Sequence, residues 1–372
     1  MAKKRINPTD SVLLTCFVIL VVFGLLMVLS SSSILALAKY QDPYHFFKRQ
    51  VVFCIAGVIA AAFCSRLNLE TWRKGWLALF ATAFILLIIV LIAGKTVGGA
   101  RRWLYLGPIG FQPSELARFA FIVAFARYAD RYHSKMDSFL WSTVYPLLIF
   151  LTLTIPIAME PDFGGPFLMG LVFVSLLCAV GVRWRHLAIY PVLAIPVITA
   201  LIIESPYRVQ RILSFLNIWG VNHPLMHTAN TDNYQLTQAM LALGSGGFFG
   251  KGLGGSELKL HYLPQPHTDF IFPVIGEELG FLGAVAVIVL FLLITYHGVK
   301  TSIYAKKMFS KVLALGITFS FAFQAAIHIA VTTALAPTKG ITLPFLSYGG
   351  SSLMMSLIMA GVLLRISREN KQ

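Results

Sequence analysis

The chain has 372 residues, of which 57% are hydrophobic and only 12% charged, at a mean hydropathy of +0.77. A soluble domain carries about 25% charged residues, so a soluble class is excluded, as are a disordered chain and a disulfide-stapled scaffold. Lys and Arg number 30 against 15 Asp and Glu, for a net charge of +15; on so apolar a background this points to membrane topology, lipid headgroups or an anionic membrane-borne substrate rather than nucleic acid.

After MAKKRINPTDS, the run from Val12 to Leu29 is free of charge and too long for a signal-peptide core, and it reads as a retained first span. Apolar cores at 12–32, 46–64, 76–94, 112–126, 139–159, 163–182, 187–204, 270–296, 312–334 and 345–365 predict an all-α polytopic membrane protein of about ten transmembrane helices, a single integral-membrane domain over 1–372. The second core carries Lys48 and Arg49 near one end, where long side chains snorkel, and the fourth is short and carries Arg118. With both termini cytoplasmic, 18 of the 30 cations fall in inner loops and tails, as the positive-inside rule asks. The outer side keeps 12 cations, and 10 of the 15 acids lie there or within spans. Nearly all the net charge is therefore topology, and chemistry is sought in the nearly cancelling outer set. The one long connection, 205–269, is also outer; it contains the amphipathic stretch Tyr234–Leu243, too short to span, and then a Gly-rich segment.

Four cysteines (Cys16, Cys54, Cys64, Cys178) lie in apolar runs without CxxC spacing, and the nine histidines show no metal spacing. Asp269 stands where the eighth span should begin, after Pro264, Pro266 and Thr268. A helix N-terminus favours an ionised carboxylate, which leaves two readings: a capping acid, or a base for a sugar hydroxyl at the membrane boundary. Glu277 lies two turns deeper, roughly 12 Å along the helix, and Glu278 projects to the opposite face. Neither forms a short-range pair with Asp269, and both read as interhelical partners, with Arg118 as a candidate. Arg101 and Arg102 sit on a short outer loop and together could hold a pyrophosphate, or contact lipid headgroups. Pro113-Ser114-Glu115 reads as a helix start capped by Gln112 or Ser114, with Glu115 favouring the dipole. Glu160-Pro161-Asp162 reads as a tight turn. SGGFFGKGLGG fails as a phosphate-binding P-loop, with Ser245 in place of Gly and Gly252 where Ser or Thr is needed, so Lys251 reads as an outer cation available to a substrate. His267 reads as a solvated loop residue.

Five segments in one order, GGARRWLYLGPIGFQPSE, EPDFGG, YQLTQAMLALGSGGFFGKGLG, LKLHYLPQPHTDFIFPVIGEELG and KGITLPFLSYGGSS, closely resemble the SEDS family (shape, elongation, division and sporulation) of peptidoglycan polymerases. The likeness covers essentially the whole chain, and the EPD, KLHYLPQPHTDF and TKGITLP segments look most like the division and sporulation members. It implies a ten-span fold and polymerisation of lipid II onto an undecaprenyl-pyrophosphate-linked glycan at the outer membrane face. It also implies a class B penicillin-binding protein and other division-complex proteins as partners, amid membrane lipids. The family's catalytic aspartate falls on Asp269. Its other motif positions fall on Arg101, Arg102, Gln112, Ser114, Glu115, Asp162, Lys251 and Glu278, in binding or structural roles. A divalent cation, Mg or Mn, has room at the leaving diphosphate, although no residue pattern calls for one. The segment NIWGVNHPLMHTANTDNYQ departs from the family's DPWxDPxGxGYQ-like stretch, so contacts from there do not carry over. Rival readings are a lipid II flippase, an elongation or sporulation polymerase, and a non-catalytic division scaffold. The acid on an outer loop favours the enzyme, since a transporter places its key acids nearer the midplane.

Overall fold

The computed structural model describes residues 8–97, 100–107, 109–160, 163–204, 206–219, 231–257 and 266–369. Lipid offers backbone groups no hydrogen-bond partner, so the apolar runs satisfy themselves as helices. These are α1 (Pro8–Tyr40), α2 (His45–Cys64), α3 (Leu69–Ala93), α4 (Pro113–Tyr132), α5 (Tyr145–Met159, entered through a π-type turn), α6 (Gly164–Val180), the single turn α7 (Trp184–Leu187) and α8 (Ile189–Ile203). After α9 (Pro206–Ile218) and α10 (Thr231–Ser245) come α11 (Ile271–Ile303), α12 (Met308–Thr332) and α13 (Gly350–Glu369).

Each expected span falls on a helix. Seven helices are long and apolar enough to cross a membrane by themselves, and Gly164–Val180 and Trp184–Ala200 are shorter apolar helices. The tenth, α4, is the least apolar, yet it is buried along most of its length. It packs among α3, α5, α6, α12 and α13 and meets protein rather than lipid, so it tolerates Arg118 in its interior. The fold is the expected all-α polytopic one, with one small addition. The segment read as a loop before α4 is a three-stranded antiparallel sheet: β1 (Lys95–Val97), β2 (Ala100–Leu106) and β3 (Ile109–Phe111), in sequence order.

Asp10 and Arg368 join at 3.1 Å, so the two ends of the chain share one end of the bundle. Asp130 gathers Arg73 (3.2 Å), Arg127 (3.1 Å) and the Phe309 amide (3.3 Å) at that same end. The other end carries the sheet, α9, α10 and the α12–α13 connection.

α11 is two helices. Gly280 has φ 68° and ψ −165°, which breaks the ladder inside an apolar span. The freed groups are met by the Gly-rich segment: the Lys251 and Gly252 amides donate to the Glu277 and Glu278 carbonyls (both 2.9 Å). In return the Phe281 amide donates to the Gly247 carbonyl (2.9 Å) and that of Leu282 to Phe248 (3.3 Å). Gly250 (φ 81°) and Gly280 meet backbone to backbone, with no room for a Cβ on either. Non-helical backbone in a span is stable only when its polar groups are re-satisfied in this way.

Candidate active site

The residues preceding α11 form a turn, 266–270, that carries Asp269. Phe270 occupies the cap position and makes no side-chain cap bond, so Asp269 is not the helix cap that one reading proposed. The turn is anchored from the α12–α13 connection: the Tyr348 amide donates to the His267 carbonyl (2.8 Å), and the Ser347 hydroxyl donates to that of Thr268 (2.7 Å). His267 is not the solvated residue expected. It is buried against Phe46 (ring centroids 4.5 Å apart) and Tyr348 (5.5 Å), and burial pushes its imidazole down to about 4, so it is neutral at physiological pH.

Asp269 itself is largely buried. Burial raises its carboxyl to about 6, against the opposing pull of Arg211 and Arg102. Gly340 presses against it: a Cβ there would stand 2.9 Å from Oδ2. Arg211 reaches over from α9 and donates through Nη1 to the Thr338 carbonyl (3.1 Å). Lys339 donates to the Phe163 carbonyl (3.2 Å) and lies 4.8 Å over the Phe167 ring. A partly desolvated carboxylate that titrates near neutrality, flanked by fixed cations, can take a proton while anionic charge is stabilised beside it.

Arg101 and Arg102 have different surroundings. They are consecutive on β2, at a slip in its register with β1: Thr96 pairs with Arg101 and Lys95 with Trp103, so Arg102 is the extra residue between them. Arg102 donates Nε to the Glu160 carbonyl (3.3 Å) and faces Asp269; Arg101 is exposed. Gln112, Ser114, Glu115 and Arg118 do come together, lining a cavity of about 80 Å³ with Gln324 and the Gly340–Thr342 strip. Gln112 stands at the cap of α4 without a side-chain cap bond. Glu115 does more than favour the dipole: it accepts from Arg118 at 2.5 Å, and Arg118 donates its other nitrogen to Gln324 (2.7 Å).

Arg118 therefore does not pair with the α11 glutamates. Glu278, fully buried, accepts from Ser30 of α1 at 2.7 Å. Glu277 accepts from Ser256 Oγ (2.5 Å), the Glu257 amide (3.0 Å) and Lys251 Nζ (3.0 Å). Lys251 also meets Glu257 (3.2 Å), and these carboxylates raise its ammonium above the usual range. It thereby props the Gly-rich loop against α11. Asp162 lies outside the described residues. In the sequence Arg211 and Lys339 are legible only as outer cations, Gln324 sits in an apolar run, and Gly340 lies in the KGITLP segment with no sign of what it faces.

The chain matches the cell cycle protein family of FtsW, RodA and SpoVE over residues 10–372. It is a SEDS protein. It is 38% identical over 367 residues to the probable peptidoglycan glycosyltransferase FtsW of Geobacter sp. (strain M18), covering 98% of both chains. It is 37% identical over 374 residues to the stage V sporulation protein E of Bacillus subtilis (strain 168), covering all of both. Among solved structures it superposes with a TM-score of 0.78, at 26% identity and over 97% of this chain and 98% of the other, on a chain from a peptidoglycan synthase complex that coordinates polymerization and crosslinking. That solved relative thus matches the fold over nearly the whole chain.

Proposed function

We propose that this SEDS protein is a peptidoglycan glycosyltransferase that polymerises lipid II on the outer face of the bacterial cytoplasmic membrane, in septal wall synthesis. The observation that carries the reading is Asp269, a largely buried carboxyl held near pH 6 and faced by Arg102 and Arg211. The bundle end where Asp10 meets Arg368 also gathers Arg73, Arg127 and Arg183, which supports cytoplasmic termini and an outward-facing Asp269.

The 4-hydroxyl of the GlcNAc on an incoming lipid II attacks the anomeric carbon of the muramoyl unit on the growing chain. As the new C–O bond forms, the bond to the diphosphate oxygen breaks, inverting that carbon. The hydroxyl proton passes to Asp269, and the electron pair departs with undecaprenyl diphosphate, whose charge Arg102 and Arg211 meet. A carboxylate titrating near 6 is ionised at neutral pH yet is a stronger base than an ordinary aspartate. Among the described residues no three His, Cys, Asp or Glu side chains cluster. A Mg or Mn ion bound with the diphosphate would add charge neutralisation at the leaving group.

The relative from the synthase complex supports a partnership with a crosslinking enzyme, here a class B penicillin-binding protein within the division machinery. Glu277 and Glu278, acids buried inside a span, are features that favour a flippase instead. Purified protein reconstituted with lipid II separates the two. Polymer formation that Asp269→Asn abolishes in folded protein is the expected result; transbilayer movement of labelled lipid II without polymer, or an Asp269→Asn variant as active as the parent, overturns it.

A further inference from the structure

Gln324 and His328 stand four residues apart on α12, one above the other on the same helix face. Both reach the strip that follows Gly340. Gln324 Nε2 donates to the Thr342 carbonyl (2.9 Å), and His328 Nδ1 lies 2.6 Å from the Ile341 carbonyl, so that nitrogen carries the proton. Both side chains are about 1% exposed, where a lost hydrogen bond is not replaced by water. Gln324 also accepts from Arg118, tying the strip to the Glu115–Arg118 pair across the cavity.

We propose that Gln324 and His328 are positioning residues for the glycosyl transfer: by gripping two consecutive carbonyls they hold Gly340 against the Asp269 carboxylate. The inference rests on Asp269 being the base of that reaction. Neither side chain touches Asp269; they act through the backbone between Gly340 and Thr342. That backbone closes one side of the carboxyl to water. The charged and titratable groups around Asp269 are Arg102 from β2, Arg211 from α9, His267 on its own turn, Lys339 beside Gly340, and the Glu115–Arg118 pair of α4 across the cavity. Changing His328 removes a contact of none of them, whereas changing Gln324 also takes a partner from Arg118, so the His328 variants report the strip by itself.

Infrared titration of carboxyl-labelled aspartate in the full-length protein, taken as the difference from the same protein carrying Asp269→Asn, reads this carboxyl without turnover. The parent is expected to titrate at about 6. Gln324→Leu and His328→Phe should move that titration down by about one pH unit or more as water reaches Asp269. His328→Asn should keep the parent value, because an asparagine amide nitrogen lies as many bonds from Cα as histidine Nδ1 and can still donate. In polymerisation, the two disruptive variants should lose about tenfold in kcat with KM little changed, their acid limbs following the infrared shift. If an apolar change unfolds the protein, Gln324→Asn, which withdraws the amide by one methylene, is expected to shift the titration in the same direction. An unchanged Asp269 titration in folded variants, or His328→Asn behaving like His328→Phe, overturns the proposal. A parent that titrates at about 6 but makes no polymer sinks the polymerase reading instead, and the clamp is then judged on the infrared shift alone.

Discussion

Gly340 faces the Asp269 carboxylate, and the space between them is too small for a methyl group: an added Cβ would stand 2.9 Å from Oδ2. Gly340→Ala must therefore displace the carboxylate, the flexible partner, rather than the backbone. We expect thermal stability to change by less than about 1 kcal/mol and kcat for lipid II polymerisation to fall by about tenfold or more. A melting curve and a polymerisation assay on the same preparation check both halves.

Activity should follow the ionisation of Asp269. With the carboxyl at about 6, kcat/KM should rise from pH 5 to a plateau above pH 7, rather than being flat from about pH 5 as for an ordinary aspartate. A pH–rate profile on reconstituted protein reads this directly.

The same displacement penalises the fold. Burial favours the neutral acid, so no cost is present below pH 3.8; it grows between 3.8 and about 6 and is complete above that. A shift of that size corresponds to about 3 kcal/mol at neutral pH, as an upper figure. Asp269→Asn should thus melt higher than the parent at pH 7.5 and indistinguishably from it near pH 3.5, while being inactive. Equal melting at pH 7.5 would contradict the assigned burial.

Arg102 and Arg101 should separate in kinetics. Arg102 faces Asp269, while its neighbour is exposed. Arg102→Ala is expected to lower kcat/KM by about tenfold or more, and Arg101→Ala by no more than about twofold. Equal effects would mean that both reach the substrate.

Two glycines in one loop should differ sharply. Gly252 has φ 89° but open space around its Cα, so Gly252→Ala carries only local strain, about 1–2 kcal/mol. At Gly250, φ 81° is joined by backbone contact with Glu278 and Gly280, and Gly250→Ala should cost several times as much. Thermal unfolding in detergent ranks them; similar melting temperatures would argue against the docking of this loop on α11.

The spans were legible because their signal is local: a run of apolar residues needs no partner to declare itself, and all ten runs fall on helices. Asp269 was legible through its motif and its place at a helix start. Its partners were not, because they come from distant stretches: Arg211 from α9, Gly340 from the α12–α13 connection, Arg102 from a strand of seven residues flanked by strands of three. The slip in register that sets the two arginines apart depends on the pairing of β1 with β2, so in the sequence they look equivalent. Glu277 and Lys251 were each noticed, but a pairing across 26 residues leaves no periodic trace. Gly280 looked like an ordinary glycine in a long apolar helix, since what breaks the helix there is the earlier loop that receives it.

That loop also has a consequence for biosynthesis. Gly247–Gly252 precedes α11 in the chain, so the backbone groups that will meet the break leave the ribosome before the break does. On the proposed topology they are translocated first and wait at the outer surface while α11 enters the bilayer. A helix inserted whole would have to be unwound at Gly280 afterwards, inside lipid, with nothing to accept its amides. Chain order allows the two pieces to assemble as they arrive. Moving the Gly-rich segment downstream of α11 by circular permutation would remove that advantage while keeping every contact of the finished fold.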